Sequence, residues 1–316
     1  MPICPTFASL SLIGRCNSRC LYCGSWKSPF QGPSTDWWIK VVDQVAALGV
    51  KHLNLSGGEP LLRTDLPVLV ARAKKHNLIV QLSTNGLLLE KAIFHQSVAA
   101  GLDYVTVSLD TLNPRTFSRL RRVPQSKVLD GLEAALQLCK TYSHLRVGLK
   151  CVVSRLNLYD IFDLIDMAVA KQLYLGLQPF HAQFAVDPEA VPRLGFSQGD
   201  MPELEGVFDR IMENKQEANV LINHVPYLAH FPQWLVYGTL PVDFSCFAGE
   251  ETVNVDVHLN LKPCWMFPSI GNLASQSLAR LWALPEFEAV RRMMKSRQCT
   301  GCWLTCHTDL NPKEKE

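Results

Sequence analysis

The strongest constraint on the fold is a rhythm. Through the first 180 residues, short apolar runs rich in β-branched residues alternate six times with longer stretches of helical periodicity. The runs expected as strands are Phe7–Ile13, His52–Ser56, Ile79–Ser83, Tyr104–Leu109, Arg146–Val153 and Tyr174–Gln178. Helical patterns fill the intervals at Asp36–Leu48, Leu66–Lys75, Glu90–Ala100, Pro114–Arg122 with Ser126–Lys140, and Leu158–Lys171. Leu66, Leu69, Val70 and Ala73 share one helical face, which Thr64 or Asp65 can cap, and Asn113-Pro114 forms an N-cap and first-turn pair. The runs read as nearly continuous apolar segments, the pattern of a parallel sheet buried on both faces. An α/β fold of six βα units follows.

After Gln178 prolines at 188, 192, 202, 226, 232 and 241 break the pattern, so 181–245 reads as a bridging region of short helices and turns. From Cys246 a third composition begins: a hairpin of Thr252–Asp256 and His258–Lys262, a Gly271-Asn272 turn, a helix at Pro285–Lys295 and a cysteine cluster. Asn311–Glu316 reads as a frayed tail. The division is thus 1–180, 181–245 and 246–316, within reach for 316 residues.

Basic and acidic residues number 31 and 29, a net charge of +2, so neither nucleic acid nor an acidic membrane surface is expected as a main partner. No uninterrupted apolar stretch approaches the length of a membrane span, and Met1-Pro2-Ile3-Cys4 opens no secretory pattern. Eleven cysteines, an odd number, argue against a secreted disulfide framework and for a reducing, cytoplasmic setting in which clustered thiols hold metal or do redox chemistry.

Cys16, Cys20 and Cys23 stand in a Cys-x3-Cys-x2-Cys pattern on the loop after the first strand, the edge where βα barrels carry function. Three thiolates leave one coordination position of a metal centre open, whereas a closed zinc site would have to borrow a distant fourth ligand. Ser56-Gly57-Gly58-Glu59-Pro60 follows the second strand, and its glycines permit close backbone approach to a ligand or simply make a tight turn. Ser83-Thr84-Asn85-Gly86 and Ser108-Leu109-Asp110 end the third and fourth strands, as ligand contacts or as a turn and a cap. Lys150 reads as a carboxylate partner or an outward charge.

Together these segments resemble the radical S-adenosylmethionine (SAM) superfamily, with Tyr22 as the aromatic residue before the third cysteine. Over about residues 7–180 the resemblance implies a partial (β/α)6 TIM-like barrel. It implies a 4Fe–4S cluster on Cys16, Cys20 and Cys23, with SAM chelating the fourth iron. Gly57, Gly58 and Glu59 would lie along the SAM amino group, and Ser83, Asn85, Ser108 and Asp110 would meet its carboxylate and ribose. The implied chemistry is reductive cleavage of SAM to a 5′-deoxyadenosyl radical that takes hydrogen from an unactivated carbon, fed by a reducing donor such as a flavodoxin or ferredoxin. The barrel also resembles that of the molybdenum-cofactor cyclase in Gly57–Arg63 and Val107–Phe117, but the cyclase's C-terminal cysteine spacing and terminal Gly-Gly are absent.

Cys246 and Cys264 flank the expected hairpin, and Cys299, Cys302 and Cys306 follow the last helix, five cysteines in 61 residues. They resemble a twitch or SPASM extension, although the seven cysteines of a two-cluster version are lacking. One auxiliary 4Fe–4S cluster is implied, on Cys246, Cys264, Cys299 and Cys302, with Cys306 spare or replacing Cys302; a four-cysteine zinc site is the alternative. Cys4, Cys139 and Cys151 belong to neither group: Cys139 reads as a buried core thiol, and Cys151 faces either the lumen or the helices. The histidines, including His181 and His224, show no ligand spacing. Arg115, Arg119, Arg121 and Arg122 read as a solvated helix face rather than a site for an acidic substrate.

The function expected is hydrogen abstraction from a small metabolite or peptide, leading to oxidation, bond formation or epimerisation. The first strand begins within about ten residues of Met1, so a leader-binding domain, as peptide maturases often carry, is expected only as a separate protein, an expectation that favours a small substrate and keeps a peptide open. The competing reading is a non-catalytic iron–sulfur electron carrier or a zinc-binding scaffold, for which the Gly57–Pro60 shelf has no use.

Overall fold

Six parallel strands follow chain order in one sheet: β1 (Phe7–Ile13), β2 (His52–Gly57), β3 (Ile79–Thr84), β4 (Tyr104–Ser108), β5 (Arg146–Val153) and β6 (Tyr174–Pro179). The computed structural model describes residues 4–185, 188–241, 246–296, 298–299 and 301–304. The crossovers carry α1 (Thr35–Ala47), α2 (Leu66–Lys75), α3 (Ala92–Ala99), α4 (Pro114–Arg121) with α5 (Gln125–Thr141), and α6 (Asp160–Lys171). Asn113 caps α4 as its sequence demands, accepting from the backbone N–H groups of Arg115 and Thr116. Asp65 precedes α2 without capping it, because its carboxylate is taken by Arg63 and the Thr35 hydroxyl.

The strands are not continuously apolar. One face alternates in polar side chains, as Ser9 and Ser11 in β1 and Asn54 and Ser56 in β2, while Ala8, Leu10, Leu53 and Leu55 of the other face are fully buried with the helices. A single cavity meets residues of all six strands, so the sheet curls around a polar lumen as a partial (β/α)6 barrel. Cys151 points to the helical side with zero exposure, and its neighbour Lys150 faces the lumen.

Both open edges of the six-stranded sheet are covered. Val220–Asn223 runs along β6, with backbone bonds between Leu175 and Val220 and between Ile222 and Leu175, and the Asn223 amide bonds both backbone groups of Leu177. On the other edge β7 (Thr252–Val255) pairs in parallel with β1, from Phe7 opposite Thr252 to Leu10 opposite Val255. The antiparallel strands β8 (Asn260–Lys262) and β9 (Gly271–Asn272) extend it, so the C-terminal segment continues the barrel sheet. Gly271-Asn272, expected as a turn, is the short strand β9.

The bridge differs from its expectation too. Beside the short α7 (Ala190–Leu194), α9 (Val225–Ala229) and α10 (Phe231–Tyr237) stands an 18-residue α8 (Met201–Ala218). Pro202 occupies its first turn, where the missing N–H costs no helical bond. Two helices, α11 (Leu278–Trp282) and α12 (Pro285–Lys295), close the described chain.

Candidate functional site

The loop after β1 carries Cys16, Cys20 and Cys23 as free thiols, all half-buried. Ser18 sits between them, its backbone N–H 3.4 Å from the Cys16 sulfur and its hydroxyl 3.2 Å from that of Cys20. Burial pushes the Cys16 thiol up to about 11 and raises that of Cys20, which the nearby Arg121 guanidinium opposes. Free thiols in low dielectric close to a cation are donors that a metal centre would bind as thiolates.

A buried network fixes this loop. Arg121, at the end of α4, forms a bidentate pair with the fully buried Asp110 at 2.8 and 2.9 Å. The Tyr22 hydroxyl donates to the same carboxylate at 2.5 Å, and the Val152 N–H joins at 2.9 Å. The Ser18 hydroxyl donates to the Arg121 carbonyl and the Leu21 N–H to the Leu120 carbonyl, which seats the cysteine loop on the end of α4. Arg121 therefore belongs neither to a solvated face nor to a substrate-binding set, and Asp110 is enclosed by protein donors instead of facing a ligand. Sequence reasoning missed this because Tyr22 and Asp110 lie 88 positions apart.

The loop after β2 closes from the other side. Glu59 is fully buried, accepting from the Leu61 N–H, the Thr84 hydroxyl and the Asn85 N–H. Burial pushes its carboxyl up to about 7 against those hydrogen bonds. Glu59, like Asp110, is thus occupied by the scaffold. Gly57 lines the lumen at φ +121°, and a Cβ at Gly58 would stand 2.1 Å from the Arg15 carbonyl. The close approach Gly58 permits is to the cysteine loop itself. The Asn85 amide also reaches that loop, 2.6 Å from Asn17 and 3.7 Å from the Cys16 sulfur. Another residue missed from sequence is the buried Arg63, which donates to the carbonyls of Leu12, Gln31 and Pro33 and so holds the rest of the loop.

Below the loop lies the lumen, about 520 Å³, lined among others by Ser83, Thr106, Ser108, Lys150 and Gln178. Ser83 donates to Asn54 and Gln81 to Thr106, so part of the wall is already tied together. Ser25, two residues past Cys23, and Trp265, next to Cys264, border the same cavity.

In the C-terminal region Cys246 and Cys264 pack with Ala248 and Met294. Burial pushes the Cys246 thiol up to about 12, and the nearby Cys264 and Cys299 thiols add to it. Cys302 is half-buried against the main core, and Cys306 lies outside the described residues, as does the expected tail. Cys139, expected in the core, is half-buried and faces the Ala135 carbonyl. Among the described residues no three His, Cys, Asp or Glu side chains stand close enough to share one ion as they are. The fit to iron–sulfur centres rests on donor chemistry: soft thiols outside any disulfide, half-buried or buried, in two stretches of the chain.

Residues 10–152 match the sequence pattern of the radical SAM superfamily, and residues 246–303 that of SPASM, an iron–sulfur cluster-binding domain. A probable GTP 3′,8-cyclase of Methanococcus vannielii is 36% identical over 260 residues, spanning 81% of this chain and 83% of that one. A PqqA peptide cyclase of Granulibacter bethesdensis is 30% identical over 168 residues, and the chain spans only 42% of its length. Among solved structures, Streptococcus suis SuiB bound to its precursor peptide SuiA superposes with a TM-score of 0.71 at 14% identity, over 92% of this chain and 67% of that one. anSMEcpe with AdoMet and a peptide gives 0.67 at 17% identity, over 94% and 86%. Both likenesses are of fold. A reading as a carrier or scaffold without catalysis gives way to these matches: the chain belongs to the radical SAM superfamily, enzymes that use a 4Fe–4S cluster and SAM, and it carries a SPASM-type iron–sulfur domain at its C-terminal end.

Proposed function

We propose that Cys16, Cys20 and Cys23 hold the SAM-binding cluster, that Cys246, Cys264, Cys299 and Cys302 hold one auxiliary cluster, and that the lumen between them takes the substrate. The observation carrying this reading is the shared cavity, bordered by Ser25 beside the first cysteine group and by Trp265 beside the second. When bound, the cluster and SAM supply a radical able to take hydrogen from an unactivated carbon. The chain's part is to seat and shield. Tyr22, Asp110 and Arg121 hold the cysteine loop on α4, Glu59 and Gly58 hold the β2 loop against it, and Asn85 spans the two. Gly57, Ser83 and Ser108 face the space where SAM and substrate would meet. The helical bridge and β7 cover the two edges of the barrel sheet, which serves the shielding of a reactive intermediate from water. Free thiols suit a reducing, cytoplasmic setting.

The described lining is mostly neutral hydroxyls and amides with Lys150 as its cation, a wall suited to a small polar molecule or a peptide segment carrying little negative charge. A GTP substrate is the second reading, favoured by the 36% identity to the probable cyclase. The experiment is anaerobic turnover of the reconstituted enzyme with SAM, dithionite and either GTP or a metabolite extract, followed by mass spectrometry. Thr106→Leu, in the lumen wall but outside the residues assigned to SAM, should stop substrate conversion while 5′-deoxyadenosine still forms. Conversion unaffected by a leucine there would remove the lumen from the account.

A further inference from the structure

Beneath the polar lumen, at the N-terminal ends of the strands, lies a second chamber of about 350 Å³, lined among others by His52, Ile79, Tyr104 and Tyr174. The two chambers share Phe7, Gln81, Thr106, Lys150 and Ile222, so one follows the other along the barrel. Two glycines make room at their junction. β5 and β6 set Gly148 opposite Tyr174 and Lys150 opposite Gly176. A Cβ at Gly148 would stand 2.0 Å from the nearest ring carbon of Tyr174, so the phenol ring lies directly over this glycine, its centre 6.1 Å from that of the Tyr104 ring on β4. A Cβ at Gly176 would come 3.6 Å from Cδ of Lys150. Gly148 and Lys150 share one face of β5, about 7 Å apart, so the phenol and the lysine stem are neighbours on the lumen wall.

The Tyr174 hydroxyl oxygen is enclosed, yet it makes no hydrogen bond among the described residues. Burial raises its pKa against the influence of the adjacent Thr106, so the phenol keeps its proton, and the Thr106 hydroxyl already accepts from the Gln81 amide at 2.9 Å. A buried donor left unpaired is costly, and a native fold keeps one where a ligand or water completes it. We propose that the lower chamber is a subsite for the end of the substrate remote from the radical, and that the Tyr174 hydroxyl donates there to a carbonyl or carboxylate oxygen. A protonated phenol and the Lys150 ammonium are both donors, so the subsite selects an acceptor. Tyr174 stands four residues before Gln178 on β6, and Gln178 lines the upper chamber together with Ser25 beside the cysteine group. The substrate is then elongated, reaching about 13 Å down the lumen with its acceptor end foremost. This inference rests on the reading of the lumen as the substrate site.

The test uses the anaerobically reconstituted holoenzyme with SAM and no reductant, as wild type and as Tyr174→Phe. Three probes of similar length are compared: ω-hydroxyhexanoate, ω-hydroxyhexanamide and ω-aminohexanol, the last without a carbonyl oxygen. Binding is read by equilibrium dialysis and stability by urea unfolding. The acid and the amide should each bind the variant about tenfold more weakly, the loss of one buried hydrogen bond, while the amine should bind both proteins alike. The variant's unfolding midpoint should match or exceed that of the wild type, because an unpaired buried hydroxyl has been removed. Preference of the wild type for the acid over the amide would assign a carboxylate to the subsite, and equal binding a neutral carbonyl. Failure of the wild type to bind either, or equal affinities in the two proteins, would overturn the proposal. So would a lowered midpoint in the variant, which would make the hydroxyl a structural partner of Thr106. With dithionite and a metabolite extract added, the better-bound probe should inhibit substrate conversion by the wild type competitively. Binding that depends on Tyr174 but leaves conversion uninhibited would strike the reading of the lumen as the substrate site, and with it the assignment of the chamber to the substrate.

Discussion

The two cysteine regions are each braced by a buried arginine, and the braces differ in kind. Beside the first, Arg121 meets a fully buried carboxylate, Asp110, so two charges are shut away together. Beside the second, Arg291 donates to the Gly249 carbonyl at 2.6 Å and the Trp282 carbonyl at 2.9 Å, lies 4.6 Å and 4.0 Å from the centres of the Trp282 and Phe287 rings, and pairs with half-exposed Glu288. Gly249 follows Cys246 by three residues, so this arginine supports the turn carrying the first cysteine of the second group. A brace made with a buried ion depends on its counter-charge far more than one made with neutral carbonyls.

Arg121→Met should therefore have the larger effect. It leaves Asp110 buried without its cation, a loss of about 3–5 kcal/mol, read as a lowered unfolding midpoint in urea. Iron should be lost chiefly from the SAM-binding cluster, and Asp110→Asn, Arg121→Met together should recover part of the stability. Recovery is the informative arm, because a purely steric role for Arg121 predicts none. Arg291→Met should cost less, about 1–3 kcal/mol, since unsatisfied carbonyls replace an unpaired charge. Its damage should fall on the auxiliary cluster, visible in the Mössbauer spectrum, with SAM cleavage retained. Equal losses in the two variants would erase the distinction. The smallest effect concerns the spare thiol: Cys306→Ala should keep both clusters by iron analysis, whereas Cys302→Ala should damage the auxiliary one. Loss of iron on changing Cys306 would exchange those two assignments.

The same contrast shows what could be read from the sequence. Each of the six barrel strands lies within a residue of its expected span, because β-branched runs bounded by turn residues are a local signal. The first cysteine group was legible for the same reason, being contained in eight consecutive residues. Its brace was not, since the partners of Asp110 come from the cysteine loop, α4 and β5. The polar lumen was written as Ser9, Ser11, Asn54 and Ser56 at alternate positions, but strong apolar neighbours such as Leu10 and Leu55 hid the period of two. Pro226 and Pro232 begin the short helices α9 and α10 as expected, whereas Pro202 misled because it begins the long α8. The pairing of β7 with β1 joins segments from opposite ends of the chain, a non-local choice that no window of sequence contains.

SAM chemistry is proposed to belong to the first cysteine group alone. This assignment is tested most directly by electron paramagnetic resonance of two dithionite-reduced proteins, one with Cys246, Cys264, Cys299 and Cys302 changed to Ser, the other with Cys16, Cys20 and Cys23 changed to Ala. Adding SAM should shift the spectrum of the first protein and yield 5′-deoxyadenosine, and should leave the second unchanged and inert. A SAM-induced shift or SAM cleavage in the protein lacking Cys16, Cys20 and Cys23 would contradict the account.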